Sequence, residues 1–154
     1  MNNISAVNLK TCHKLENIKS PFMLVMDKGD DFVDSLLECA KIVKFPSATL
    51  TAIGALANTT FGYYDLQNKK YITQTIEGVC ELISLMGNIT LHENKYVTHL
   101  HVSLVKLNDP SYSVIGGHLF SANVGILAEI NIIPFHAPII REYSSEFNAN
   151  IINT

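Results

Sequence analysis

This chain of 154 residues contains no tryptophan, one arginine among its eleven basic residues, and only 16% charged side chains. Each shortage excludes something. A nucleic-acid binder needs several cations on one face to displace phosphate counterions, and it favours arginine for bidentate contacts. Fourteen acidic residues outweigh the eleven basic ones, the formal charge is -3, and the densest basic run is Lys69-Lys70, so charge weighs against nucleic acid as a partner. Cys12, Cys39 and Cys80 are far apart and form no Cys-x-x-Cys pair. They suggest neither a disulfide framework nor a thiolate metal site, and they point to a reducing compartment. No stretch reaches the ~18 consecutive apolar residues of a membrane span, and the first twenty residues lack the long uncharged core of a secretory signal. The expectation is a soluble cytoplasmic protein with no membrane partner.

What is abundant is apolar surface. Hydrophobic residues make up 47% of the chain, enough for one self-contained core in a domain of this length. With so little charge to cover the outside, part of that apolar surface is expected to meet another chain.

The pattern along the chain is α+β, mostly antiparallel sheet with one long helix. Residues 1–20 read as an extended lead-in, 21–142 as a single domain, and 143–154 as a polar tail that frays or docks on a neighbour. Phe22 to Met26 is a short apolar run between Pro21 and Asp27-Lys28-Gly29, the pattern of a strand buried on both faces. Phe32, Val33, Leu36, Leu37, Ala40 and Val43 then recur at helical spacing. Asp30 or Asp31 can cap that helix, Asp34 lies early, Lys41 and Lys44 lie late, and Pro46 stops it. Cys39, on this helix with no histidine nearby in sequence, reads as a packing residue. From Ala48 to Pro134 the text breaks into short strands, with Gly54, Gly62, Gly87 and Gly116-Gly117 as punctuation.

The chemistry lies in three histidines. Strand alternation in His99-Leu100-His101-Val102-Ser103-Leu104 puts His99, His101 and Ser103 on one face and the apolar residues on the other. His118 follows Gly116-Gly117, where missing side chains permit close approach. If the strands either side of Asn108-Asp109-Pro110-Ser111 form a hairpin, residue 118 returns to the level of 99 to 101. Three imidazoles on one ion match a catalytic-type zinc site with an open fourth position. His-x-His taken alone equally fits half-exposed strand residues. His13, His92 and His136 read as surface residues. Glu129, in an otherwise apolar strand, reads as a hydrogen-bond partner that orients a ligating imidazole or as a general acid or base, and Glu81 as an edge-strand charge.

With these residues assembled, the chain resembles the plant-and-prokaryote-conserved (PPC) domain, also labelled a PD1-like DNA-binding domain because plant members carry AT-hooks. The matching elements are Gly29-Asp30, Ile53-Gly54-Ala55-Leu56-Ala57-Asn58, Glu81-Leu82-Ile83-Ser84-Leu85-Met86-Gly87, His99-Leu100-His101-Val102-Ser103-Leu104 and Gly116-Gly117-His118-Leu119, in order over residues 22 to 134. The resemblance implies a homotrimer and a zinc-like divalent metal at His99, His101 and His118. It also implies a fold similar to acetolactate decarboxylase, a zinc enzyme. No arginine-glycine hook is present, and Arg141 lies beyond the matched elements. The function expected is metal-dependent action on, or sensing of, a small oxygenated metabolite. The alternative is a non-enzymatic oligomerisation or DNA-associated regulatory module without metal chemistry.

Overall fold

The computed structural model describes residues 6–152. Its elements are β1 (Ala6–Val7), a 3-10 turn at Cys12–Leu15, β2 (Phe22–Asp27), α1 (Phe32–Val43), β3 (Ala48–Asp65), β4 (Lys70–His92), β5 (Lys95–Lys106), β6 (Val114–Pro134), β7 (Arg141–Ser144) and β8 (Ala149–Ile152). The main sheet runs β1-β2-β6-β3-β4-β5, and β5 pairs again with β6, so that β3, β4, β5 and β6 close on themselves. Pairing is antiparallel except between β1 and β2. A separate two-stranded hairpin, β7-β8, follows.

Helix α1 starts where Asp31 Oδ1 accepts from the Asp34 backbone N–H at 2.8 Å, satisfying one of the free donors of the first turn. It ends at Lys44, in the left-handed conformation (φ 62°), two residues before Pro46. Its buried side, Phe32, Leu36, Cys39, Ala40 and Val43, joins one core with Leu24, Met26, Leu50, Ile130 and Ile132 of the sheet and Phe61, Leu85 and Leu119 of the closed part. Burial raises the Cys39 thiol to about 12, with Cys12 adding to the effect, which leaves Cys39 unsuited to nucleophilic chemistry.

The glycines correct the short-strand reading. The segments from 48 to 134 merge into three long strands and β5, because all five of these glycines sit inside strands and not between them. Gly54 (φ +141°) follows a register shift against β4, and a Cβ there would stand 2.2 Å from the Leu127 carbonyl oxygen. A Cβ at Gly117 (φ +154°) would meet the Gly62 carbonyl oxygen at 2.3 Å. These positions let the ribbon bend and close without a chain reversal.

The ends also differ from expectation. Val7, Cys12 and Leu15 of the lead-in are buried in the core, and residues 1–5 lie outside the described residues. A boundary at 142 would cut through β7, and Tyr143 to Ile152 completes the terminal hairpin, with 153–154 outside the described residues. Among the described residues no helix is long and apolar enough to cross a membrane.

Candidate metal centre

Cross-strand partners share a face. Met86 of β4 pairs with His101 of β5, and His101 pairs with His118 of β6. His99, two residues from His101 on the same face, pairs with Asn88. The hairpin through 108–111 therefore returns His118 directly opposite His101. One ligand atom from each histidine lies within 4.8 Å of the other two.

The donor set fits a metal ion in most respects. His99 Nε2 and His101 Nε2 are 3.2 Å apart. Two nitrogens on one tetrahedral ion with bonds of ~2.0–2.1 Å stand ~3.3–3.4 Å apart. Burial, followed by the charges of His99, His101 and Arg141, lowers His118 to about 4. Burial, then Arg141 and His101, lowers His99 as well. Both rings are thereby held in the neutral form that ligates metals.

Arg141, 8% exposed, stands behind His99. Its Nε donates to Thr90 Oγ1 (2.9 Å), Nη1 to the Asn150 carbonyl (3.0 Å) and Nη2 to Asn88 Oδ1 (3.0 Å), and Nη2 also lies 3.3 Å from His99 Nδ1. A guanidinium has no acceptor, so His99 Nδ1 accepts and the ring proton sits on Nε2, toward His101. Metal binding through Nε2 would displace that proton. On the other side, Tyr71 packs on His118 at 4.9 Å between ring centroids, and Phe120 also touches His118 at 4.9 Å. A cavity of about 330 Å³ opens here, walled by Tyr71, Thr98, His99, His118, Arg141 and the β7-β8 hairpin.

The two carboxylates are elsewhere. Glu129 lies between Val25 of β2 and Ile53 of β3, and Glu81 between Ala55 of β3 and Val105 of β5. Glu129 lies on β6, the strand that carries His118, eleven residues further along; across the row His101, Met86, Thr51 and Asn131, that far part of β6 stands three pairing steps of about 4.8 Å from His101. Glu129 lines, with Glu81, a second cavity of about 310 Å³ that shares no lining residue with the histidine cavity. Within one chain the structure does not bring Glu129 to the histidines, so it orients none of their rings. Nor is Glu81 an edge-strand charge, since β4 has neighbours on both sides there. Of the remaining histidines, His13 and His136 are exposed, while His92 Nδ1 lies 3.0 Å from the Arg141 carbonyl and ties down the hairpin.

Sequence reasoning passed over Arg141, Asn88, Thr90 and Tyr71. The one usable signal for Arg141 was its singularity: a chain that uses lysine on its surface keeps its only arginine at 8% exposure.

Fold and site together define a small protein of mostly antiparallel sheet, with one α-helix and a three-histidine cluster. Residues 13–136 match the Plants and Prokaryotes Conserved (PCC) domain, and the chain belongs to that family. It is similar to the solved structure of a metal-containing protein from Archaeoglobus fulgidus, with 30% identity and a TM-score of 0.79 over 88% of this chain and 94% of that one. A candidate DNA-binding protein from Ralstonia eutropha JMP134 is similar at 27% identity and a TM-score of 0.76, over 86% of this chain and 90% of that one. Acetolactate decarboxylase from Bacillus subtilis subspecies spizizenii shares the fold, with 12% identity and a TM-score of 0.53 over 82% of this chain and 58% of that one. No curated protein matches the chain.

Proposed function

We propose that this PCC-domain protein is a cytoplasmic homotrimer that holds zinc or another divalent transition metal at His99, His101 and His118 and acts on or senses a small oxygenated metabolite. The observation that carries the reading is the convergence of three ligand atoms, one from each histidine, within 4.8 Å. The name of the Archaeoglobus fulgidus relative, a metal-containing protein, supports it. When bound, the ion would supply Lewis-acid polarisation of a carbonyl or activation of a water molecule. The chain's own residues hold and shape the site. Arg141 and Asn88 fix the back of His99, and Tyr71 and Phe120 pack around His118 and limit water on that side.

Assembly is supported by the open face of the sheet. Ile53 (56% exposed), Met86 (64%) and Ile126 (65%) stand on strands whose opposite face is core. A monomer would leave this apolar surface in water. Glu129 and Glu81 lie among those residues, so any catalytic part for Glu129 would be played at that face, away from the chain's own histidines. Three buried free cysteines suit a reducing cytoplasm.

The test is metal analysis of protein purified without a histidine tag. About one transition-metal ion per chain is expected in the wild type and almost none in His101→Ala; equal content in the two sinks the proposal. The name of the Ralstonia eutropha relative supports a second reading, a DNA-associated module. The charge of -3 and the single arginine oppose it. A salt-sensitive mobility shift of duplex DNA by the pure protein would favour that reading.

A further inference from the structure

The histidine cavity has a wall that the family match does not account for. The PCC match ends at residue 136, whereas Arg141, Asn148 and Asn150 of the cavity belong to the hairpin of residues 141–152. That hairpin is built into the molecule. His92 Nδ1 meets the Arg141 carbonyl, Tyr64 Oη donates to the Phe147 carbonyl, and Asn148 Nδ2 donates to the Lys69 carbonyl at 3.4 Å.

It carries an unbalanced charge into the site. All four partners of the Arg141 guanidinium are uncharged groups: the Thr90 hydroxyl, the Asn88 amide, the Asn150 carbonyl and the neutral His99 ring. Of its five N–H donors, one on Nη1 has no partner among the described residues. No Asp or Glu lines the cavity. Hydrogen bonds to neutral acceptors satisfy donors but leave the charge uncompensated, which is costly at this depth. A divalent ion at the histidines would add two further positive charges to a cavity with no acid of its own.

We infer that this cavity receives a small organic carboxylate, anchored by Arg141 of the C-terminal hairpin, with the rest of the ligand directed toward the histidines. The inference deepens the proposed function and rests on its reading of the cavity as a ligand site. A volume of about 330 Å³ suits an acid of a few carbons. Val97, Ala149 and Ile151 of the wall favour a carbon skeleton over a bare inorganic ion.

Binding of acetate, lactate and pyruvate to the full-length protein, followed by NMR titration with and without zinc, tests this. Methyl pyruvate serves as the uncharged control and inorganic phosphate as the competing oxyanion. Chelator-treated wild type is expected to bind at least one of the three acids and to ignore methyl pyruvate. Arg141→Lys should weaken that binding about tenfold or more, because lysine keeps the charge but cannot hold Thr90, Asn88 and Asn150 while offering a further donor to the acid. Arg141→Gln should abolish it. If Arg141→Gln does not fold, Arg141→Lys decides. No binding of any acid by wild type, unchanged binding in Arg141→Lys, equal binding of methyl pyruvate, or tighter binding of phosphate than of every acid overturns the inference. Zinc content is read separately. Acid binding without zinc uptake sinks the metal proposal alone, and zinc uptake without acid binding sinks this one alone.

Discussion

Two cavities of nearly equal size on one sheet are opposites in chemistry. At the histidine cavity, polar groups converge: two imidazoles with lowered pKa values, a buried guanidinium and an aromatic ring stand within contact of one another. At the other, Glu81 and Glu129 sit among Ile53, Ile126 and Leu127, with no basic residue in the lining. Along the chain both look alike, as polar residues placed at intervals in apolar strands. What separates them is convergence, since desolvation and mutual charge shift a group only when its neighbours are brought close.

The largest expected contrast is in metal content. His118→Ala should lose nearly all bound metal, while Glu129→Gln and Glu81→Gln keep wild-type content by elemental analysis. A marked loss in Glu129→Gln would erase the distinction between the two cavities. The next contrast sets the covered face of the sheet against the open one. Phe61→Ala, at a fully buried position, should cost about 3–5 kcal/mol in denaturant unfolding. Ile126→Ser should cost an isolated chain roughly 0.5 kcal/mol yet dissociate an assembly, as read by sedimentation. If Ile126→Ser unfolds the protein as Phe61→Ala does, the open face is part of the core.

Smaller effects probe how the histidine end is held. Thr90→Val removes the acceptor of Arg141 Nε. It should destabilise the protein by about 1–3 kcal/mol, with amide exchange rising first in residues 141–152. Away from both cavities, Cys39 tests burial alone. Its thiol is raised from 9.0 to about 12, so the folded state prefers the protonated form. That preference is fully present below pH 9.0 and is lost as the pH rises through about 12. Iodoacetamide at pH 8 should leave Cys39 unmodified in folded protein and alkylate it within minutes in denatured protein. Rapid labelling of folded protein would contradict the burial.

Much of the fold was legible. The helix from Phe32 to Val43 could be read because its apolar spacing, its aspartate cap and its proline stop are local signals that agree. The strand lengths were not legible, because a glycine that ends a strand and one that lets two strands touch look the same in sequence. Only the carbonyls opposite Gly54 and Gly117 distinguish them. The pairing of His99, His101 and His118 was legible through alternation and one tight turn. Arg141 was not, since its route to His99 runs through the Leu91–Ile140 bridge and the His92 contact, long-range contacts that leave no periodic trace.

By itself the sequence determined the class of fold, the capped helix, and the shared face of His99 and His101. These follow from periodicity, charge and turn chemistry, which act over a few residues. Tertiary structure alone decided which polar residues meet. It placed His118 opposite His101, left Glu129 in a separate cavity eleven residues further along the same strand, and set the lone arginine, buried, against the histidines. Such meetings depend on register and closure of the whole sheet, and a shift of one residue would turn each side chain to the other face.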